Sequence, residues 1–134
     1  DNMENTVSKL NIIRNMNIGV SLDDFGTGYS SLSYLQILPL TTLKIDKSFI
    51  SSINSQSGIE ANITNCIVTM VTKMGLETIA EGVETNDQLS VLKEINCKNI
   101  QGFLKGKPMP LVICEKVLAG DKNAYITIKN DLKK

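Results

Sequence analysis

The chain has 134 residues, 42% hydrophobic and 21% charged, which suits one folded domain with one core and argues against disorder. Fourteen Lys and Arg balance fourteen Asp and Glu, so no basic surplus points to a long nucleic acid, although a small anionic ligand needs only local charge. No apolar run approaches the roughly 20 residues that span a bilayer, no signal-peptide pattern opens the chain, and the lack of histidine excludes a Ser-His-Asp triad and most zinc sites.

The first predicted element is a helix over residues 5–16, with Val7, Leu10, Ile13 and Met16 on one stripe. A short strand follows Gly19 over 20–23, then a glycine-rich turn, Gly26-Thr27-Gly28, and a short helix over 30–36 that Pro39 terminates. Residues 43–46 form the second strand. After a polar loop, 59–74 is the clearest helix, with Ile63, Ile67, Met70 or Val71, and Met74 at helical spacing and Gly75 as its stop. A third strand over 78–80 leads into Glu81. Thr85 or Asn86 caps a helix that runs to about Ile95 and covers Leu89 and Leu92. The last strand lies near 99–103, and a short helix spans 111–118 after Pro108 and Pro110. The tail, 119–134, carries an alternating Tyr125-Ile126-Thr127-Ile128 and stays unassigned.

Alternating strands and helices predict an α/β fold with a parallel sheet of four strand-helix units. Cys66, Cys97 and Cys114 are odd in number and widely spaced, so they are expected to be reduced and structural, in a cytoplasmic setting.

The polar residues at the strand ends carry the chemistry. Asp23 and Asp24 end the first strand, Lys44 and Asp46 lie near the end of the second, Glu81 ends the third with Glu84 just beyond, and Gln101 lies in the fourth. Parallel α/β folds bind ligands at the carboxyl ends of their strands. Taken singly these residues are ordinary: an Asp-Asp before a glycine-rich turn is usually a cap and a turn residue, and Lys-x-Asp a solvated pair. Their concentration at one end of the sheet points instead to a site. Clustered carboxylates repel unless a cation joins them, and oxygen ligands without histidine suit magnesium or manganese, with calcium as an alternative. Adjacent acids on a regular strand face opposite ways, so both reach one site only if the second enters the turn. Two metals could activate water for phosphodiester displacement, with Lys44 orienting the water or neutralising charge.

Four segments then resemble one family, in its order and spacing. Residues 23–32, beginning Asp23-Asp24-Phe25-Gly26-Thr27-Gly28-Tyr29-Ser30, look like the acidic loop signature of EAL domains. Leu43-Lys44-Ile45-Asp46-Lys47-Ser48-Phe49, Ala80-Glu81-Gly82-Val83-Glu84-Thr85, and Gln101-Gly102 with Lys107-Pro108-Met109-Pro110 are similar to the three motifs that follow it. The resemblance covers about 1–118. It implies the second half of a modified (β/α)8 barrel that hydrolyses cyclic di-GMP to linear pGpG with two divalent cations, Mg2+ or Mn2+. By match, Asp23 bridges the metals, Asp24 ligates the second, Lys44 touches the attacking water, Glu81 supports metal and water, and Gln101 lines the site. Asp46 and Glu84 are expected on the substrate side. Phe25, Gly26, Thr27, Gly28, Tyr29 and Ser30 form the loop that couples the site to dimerisation.

The Glu-Ala-Leu motif and the ligands of earlier strands are absent from the chain, which opens on Asp1 rather than Met. Phe103 and Lys105 replace an expected tyrosine and aromatic. The chain is therefore expected to be a piece of a longer protein, inactive or nearly so alone, with upstream sensory or diguanylate cyclase domains in the parent. A half barrel exposes two strand edges, which predicts a homodimer. Two alternatives remain: a degenerate EAL module that binds cyclic di-GMP or a protein partner without catalysis, and a receiver-like doubly wound domain, whose phosphoacceptor should end a later strand where this chain has Glu81.

Overall fold

A computed structural model describes residues 2–27, 32–53 and 58–120. Its elements run α1 (Asn2–Asn15), β1 (Ser21–Phe25), α2 (Leu32–Ile37), β2 (Thr42–Ile45), α3 (Lys47–Ser51), α4 (Gly58–Lys73), β3 (Glu77–Ala80), α5 (Asn86–Glu94), β4 (Asn99–Ile100) and α6 (Leu111–Leu118). The four strands form one parallel sheet in the order β1-β2-β3-β4, so each strand lies beside its successor, as βα units winding in one direction require. The expected parallel α/β architecture is the one found. Tyr125–Ile128 and the rest of the tail from 121 lie outside the described residues, as do Gly28, Tyr29 and Ser30 of the acidic loop.

Strand alternation divides the residues between two faces. Leu43 and Ile45 of β2 and Ala80 of β3 are fully buried on the helix-covered face, with Thr78 beside them at 6% exposure. Phe25, Leu35, Ile50, Ile53, Val68, Val71, Val83, Val91 and Leu92 complete this core. Lys44 and Ile79, paired in register, leave by the opposite face. In a closed barrel that face would be the interior; here β1 and β4 are the sheet's edges.

Several elements differ from the sequence-based expectation. The polar loop after the second strand contains α3, whose N-cap is Asp46: its carboxylate accepts the Ser48 N–H at 2.9 Å. The last strand is shorter than expected, because the chain turns at Gly102, where the Leu104 N–H donates to the Val83 carbonyl at 3.0 Å. Helix α4 is rotated from the predicted stripe. It buries Thr64, Val68 and Val71, with Ile67 and Met70 partly buried against the core, while Ile63 and Met74 are exposed, because the helix carries two apolar faces and packing chose between them. Helix α1 presents Val7, Leu10 and Ile13 inward as the stripe predicts, but only half-buried, and Met16 is 66% exposed beyond its end. Cys66, expected in a structural position, is exposed; Cys97 is buried and Cys114 half-buried. Thr85 is the cap of α5, in a reciprocal capping box with Gln88.

Candidate active site

The acidic pair reaches one site through a β-bulge. Leu22 pairs with Leu43 and Phe25 with Ile45, so Asp23 and Asp24 together oppose the single residue Lys44. Asp24 takes up the extra length in the left-handed region, at φ 50°, which Asp tolerates better than most residues. Both acids lie at the end of the first strand, as expected, but Asp24 reaches the site from a bulge within β1, one residue before Phe25, and not from the glycine turn. Its carbonyl accepts the Thr27 hydroxyl at 3.0 Å and the Thr27 N–H at 3.3 Å. Gly26, at φ 107°, lies against the Phe49 ring, which leaves no room for a side chain there.

Lys44 lies at the centre of the polar cluster. Its Nζ donates to Glu81 Oε1 at 2.6 Å and to Asp23 Oδ1 at 2.9 Å. The Lys44 and Glu81 side chains are 20% and 15% exposed, whereas Asp23 is 62% exposed at the open rim. The hydrogen bond to Glu81, then that to Asp23, holds the Lys44 ammonium above the usual lysine range. The Lys44 hydrogen bond holds the Asp23 carboxyl below the usual carboxylate range. Glu81 is fixed from behind, because its N–H donates to the Ile45 carbonyl at 3.0 Å just past the end of β3.

One carboxylate oxygen each from Asp23, Asp24 and Glu81 lies within 4.8 Å of the other two. Oxygens that share a cation at about 2.0–2.6 Å stand at most some 4–5 Å apart, so this spacing and this all-carboxylate chemistry fit a hard divalent ion. The other predicted site residues surround this centre unevenly. Gln101 follows β4, donates its N–H to the Ala80 carbonyl at 2.8 Å, and exposes its side chain. Asp46 faces α3 as its cap, and the Ser48 hydrogen bonds hold its carboxyl below the usual range. Glu84 is exposed, its N–H bound by Gln88 Oε1 at 2.8 Å. Phe25 is 6% exposed and belongs to the core at the end of β1.

Two glycines act here that the residue-by-residue reading assigned no role. Gly82 turns at φ 69° directly against Lys47. Gly102 lies so close to the Val83 backbone that a Cβ would overlap it, which brings the Glu81–Glu84 loop beside Gln101. A Gly directly after Glu81 and another directly after Gln101 were the available signal.

A sequence profile of the EAL domain matches residues 1–108. The chain belongs to the EAL domain family. It is 44% identical over 117 residues to a protein of Pseudomonas aeruginosa named cyclic di-GMP phosphodiesterase NbdA, covering 87% of this chain and 15% of that one. It is 47% identical over 104 residues to the bifunctional diguanylate cyclase/cyclic di-GMP phosphodiesterase MucR of the same organism, covering 78% of this chain and 15% of that one. Among solved structures, the EAL domain of Mycobacterium smegmatis DcpA superposes with a TM-score of 0.84 at 38% identity, covering 90% of this chain and 53% of that one. Klebsiella pneumoniae BlrP1, in a manganese and cyclic di-GMP complex, superposes with a TM-score of 0.69 at 32% identity, covering 75% of this chain and 26% of that one. The chain thus spans about half of the DcpA EAL domain chain and about a seventh of these two curated relatives. Among the described residues no helix is long and apolar enough to cross a membrane.

Proposed function

We propose that this EAL segment supplies the Asp23, Asp24, Glu81 and Lys44 share of a site that hydrolyses one phosphodiester bond of cyclic di-GMP to give linear pGpG. The observation that carries the reading is the convergence of three carboxylates within 4.8 Å around an ammonium 2.6 Å from Glu81 and 2.9 Å from Asp23. Asp23, Asp24 and Glu81 would hold magnesium or manganese, with two ions in the complete domain. Such ions, when bound, supply Lewis-acid activation of water and neutralise charge on the phosphoryl oxygens.

The remaining chemistry falls to the chain's own groups. Water oxygen attacks phosphorus, and the bond from phosphorus to the 3′ oxygen breaks, which leaves a 5′ phosphate and a 3′ hydroxyl. Lys44 orients that water and offsets the charge that grows on the phosphoryl oxygens, from a position two carboxylates hold. Gln101, Asp46 and Glu84 are assigned to the substrate side, and the motif from Phe25 to Ser30 to coupling the site with association of two copies. Upstream sensory or cyclase domains, as in the name of MucR, are the proposed partners in the parent chain. The 134-residue chain alone is inactive or nearly so on this reading, because the Glu-Ala-Leu motif and the metal ligands that the resemblance implies for earlier strands are not in it.

The test uses an EAL domain that contains this segment, with cyclic di-GMP and magnesium or manganese, and chromatography of the products. Asp23→Asn and Lys44→Ala are each expected to lower kcat by about 100-fold or more while nucleotide binding persists. Full activity in both variants would overturn the proposal. Binding without turnover in the unmodified protein would identify the degenerate binding module instead.

A further inference from the structure

Gln88, in the first turn of α5, is 7% exposed and uses both ends of its side-chain amide. Its Oε1 accepts the Glu84 N–H at 2.8 Å and the Thr85 N–H at 3.0 Å. Its Nε2 donates to the Ile50 carbonyl of α3 at 3.2 Å, across 38 residues of sequence. Two N–H donors at one end and a carbonyl at the other fix which end is oxygen. A capping box accounts for the Thr85 bond alone: a Gln or Glu at the third helical position closes on the N-cap N–H. The bonds to Glu84 and to α3 lie outside that motif. A glutamate would close the box equally well, but its ionised form has no donor for Ile50.

Those two extra bonds reach groups assigned to the substrate side. Glu84 ends the loop that starts at Glu81, and Gln88 grips that end by its backbone. The bond from the Val83 N–H to the Gln101 carbonyl, 3.1 Å long, grips the same loop from the residue after β4. Helix α3 carries Asp46 as its N-cap and sets Lys47 against Gly82 in the middle of the loop. The metal side is held differently. Asp23 and Asp24 are placed by the bulge against β2, and Glu81 by its N–H on the Ile45 carbonyl at 3.0 Å. None of these pairings involves Gln88.

We propose that Gln88 is a positioning residue for the cyclic dinucleotide: one buried amide sets Glu84 and the α3 cap Asp46 relative to each other, while the sheet sets the metal-side acids. This rests on the function proposed above. Removing the amide leaves the Glu84 and Thr85 N–H groups and the Ile50 carbonyl without that partner. The loop and α3 then shift independently, and substrate affinity falls while the arrangement of Lys44, Glu81 and Asp23 persists. A loss confined to binding raises KM at constant kcat.

The test uses an EAL domain that contains this segment, with cyclic di-GMP and magnesium or manganese, and reads kcat, KM and melting temperature. Gln88→Leu fills the space without the hydrogen bonds and is expected to raise KM about tenfold with kcat within about twofold. Gln88→Glu keeps both N–H bonds and loses only the tie to α3, so its KM is expected about threefold above that of the unmodified domain. In a Glu84→Ala background the main group that Gln88 places is gone. There Gln88→Leu is expected to add about threefold or less, whereas a general structural loss would persist in full. An unchanged KM in either variant overturns the proposal, as does a fall in kcat at constant KM, or the full effect in the Glu84→Ala background. Should Gln88→Leu fail to fold, Gln88→Glu decides alone, and a KM equal to that of the unmodified domain overturns the proposal. An unmodified domain that binds cyclic di-GMP without turnover sinks the hydrolytic reading only; the same variants are then compared by Kd, with the same fold-changes expected and the same outcomes deciding. One that binds no cyclic di-GMP overturns both.

Discussion

Lys44 Nζ lies 2.6 Å from Glu81 Oε1, a charged hydrogen bond between the ends of two neighbouring strands. Both side chains leave the sheet on the face away from the helices, and both are mostly shielded from solvent. The ammonium therefore does for two of the three converging carboxylates, Asp23 and Glu81, what a divalent cation does: it lowers the cost of holding them together.

Removing that ammonium should make the fold depend on metal. Lys44→Ala is expected to lower stability by about 1–2 kcal/mol in chelator, since Glu81 loses a charged hydrogen bond in a partly buried setting. Millimolar magnesium or manganese should restore more stability to the variant than to the unmodified chain. Urea titrations with and without metal read the difference. Because the folded state raises the Lys44 pKa above its ordinary 10.5, the gap between the two proteins in chelator is fully present below that pH and closes as pH rises through the folded value. Equal metal responses would show that the carboxylates do not strain one another.

Asp46 has two roles that one pair of substitutions separates. As the cap of α3 it should cost about 1 kcal/mol when changed to Ala, and much less when changed to Asn, which still accepts the Ser48 N–H. Its folded pKa is depressed below the ordinary 3.8. The advantage of Asp over Asn is therefore present above that pH and vanishes as pH falls through the folded value. A role on the substrate side would appear as a higher KM in Asp46→Asn at unchanged stability, in the complete domain.

Gly102→Ala should destabilise by about 1–3 kcal/mol, because the added methyl meets the Val83 backbone rather than a side chain that can move. The bond from the Val83 N–H to the Gln101 carbonyl, 3.1 Å long, would have to lengthen, which moves Gln101 away from Glu81. A variant within about 0.5 kcal/mol of the parent in urea unfolding would contradict this packing.

Thr64 is fully buried on α4, and its hydroxyl has no hydrogen-bond partner among the described residues. Thr64→Val keeps the shape and removes the unsatisfied group. The expected gain is about 1 kcal/mol, seen as a higher melting temperature. A loss of stability would mean that the hydroxyl is satisfied.

The sequence by itself determined the order of the strands and of every described helix but α3, the parallel sheet and the family, because these follow from local periodicity, capping residues such as Thr85, and short motifs at the strand ends. It also named Asp23, Asp24, Lys44 and Glu81, since each is a charged residue at or near the carboxyl end of a short apolar strand. Only the tertiary structure decided how they meet. The bulge that brings Asp24 to the side of Asp23 depends on the register against β2, where two residues oppose Lys44 alone. The face of α4 that is buried was equally a question of packing: Val68 and Val71 fit the sheet, and the equally apolar Ile63 and Met74 were left outside. Periodicity reports that a helix has an apolar face; where a helix has two, the partner surface chooses between them.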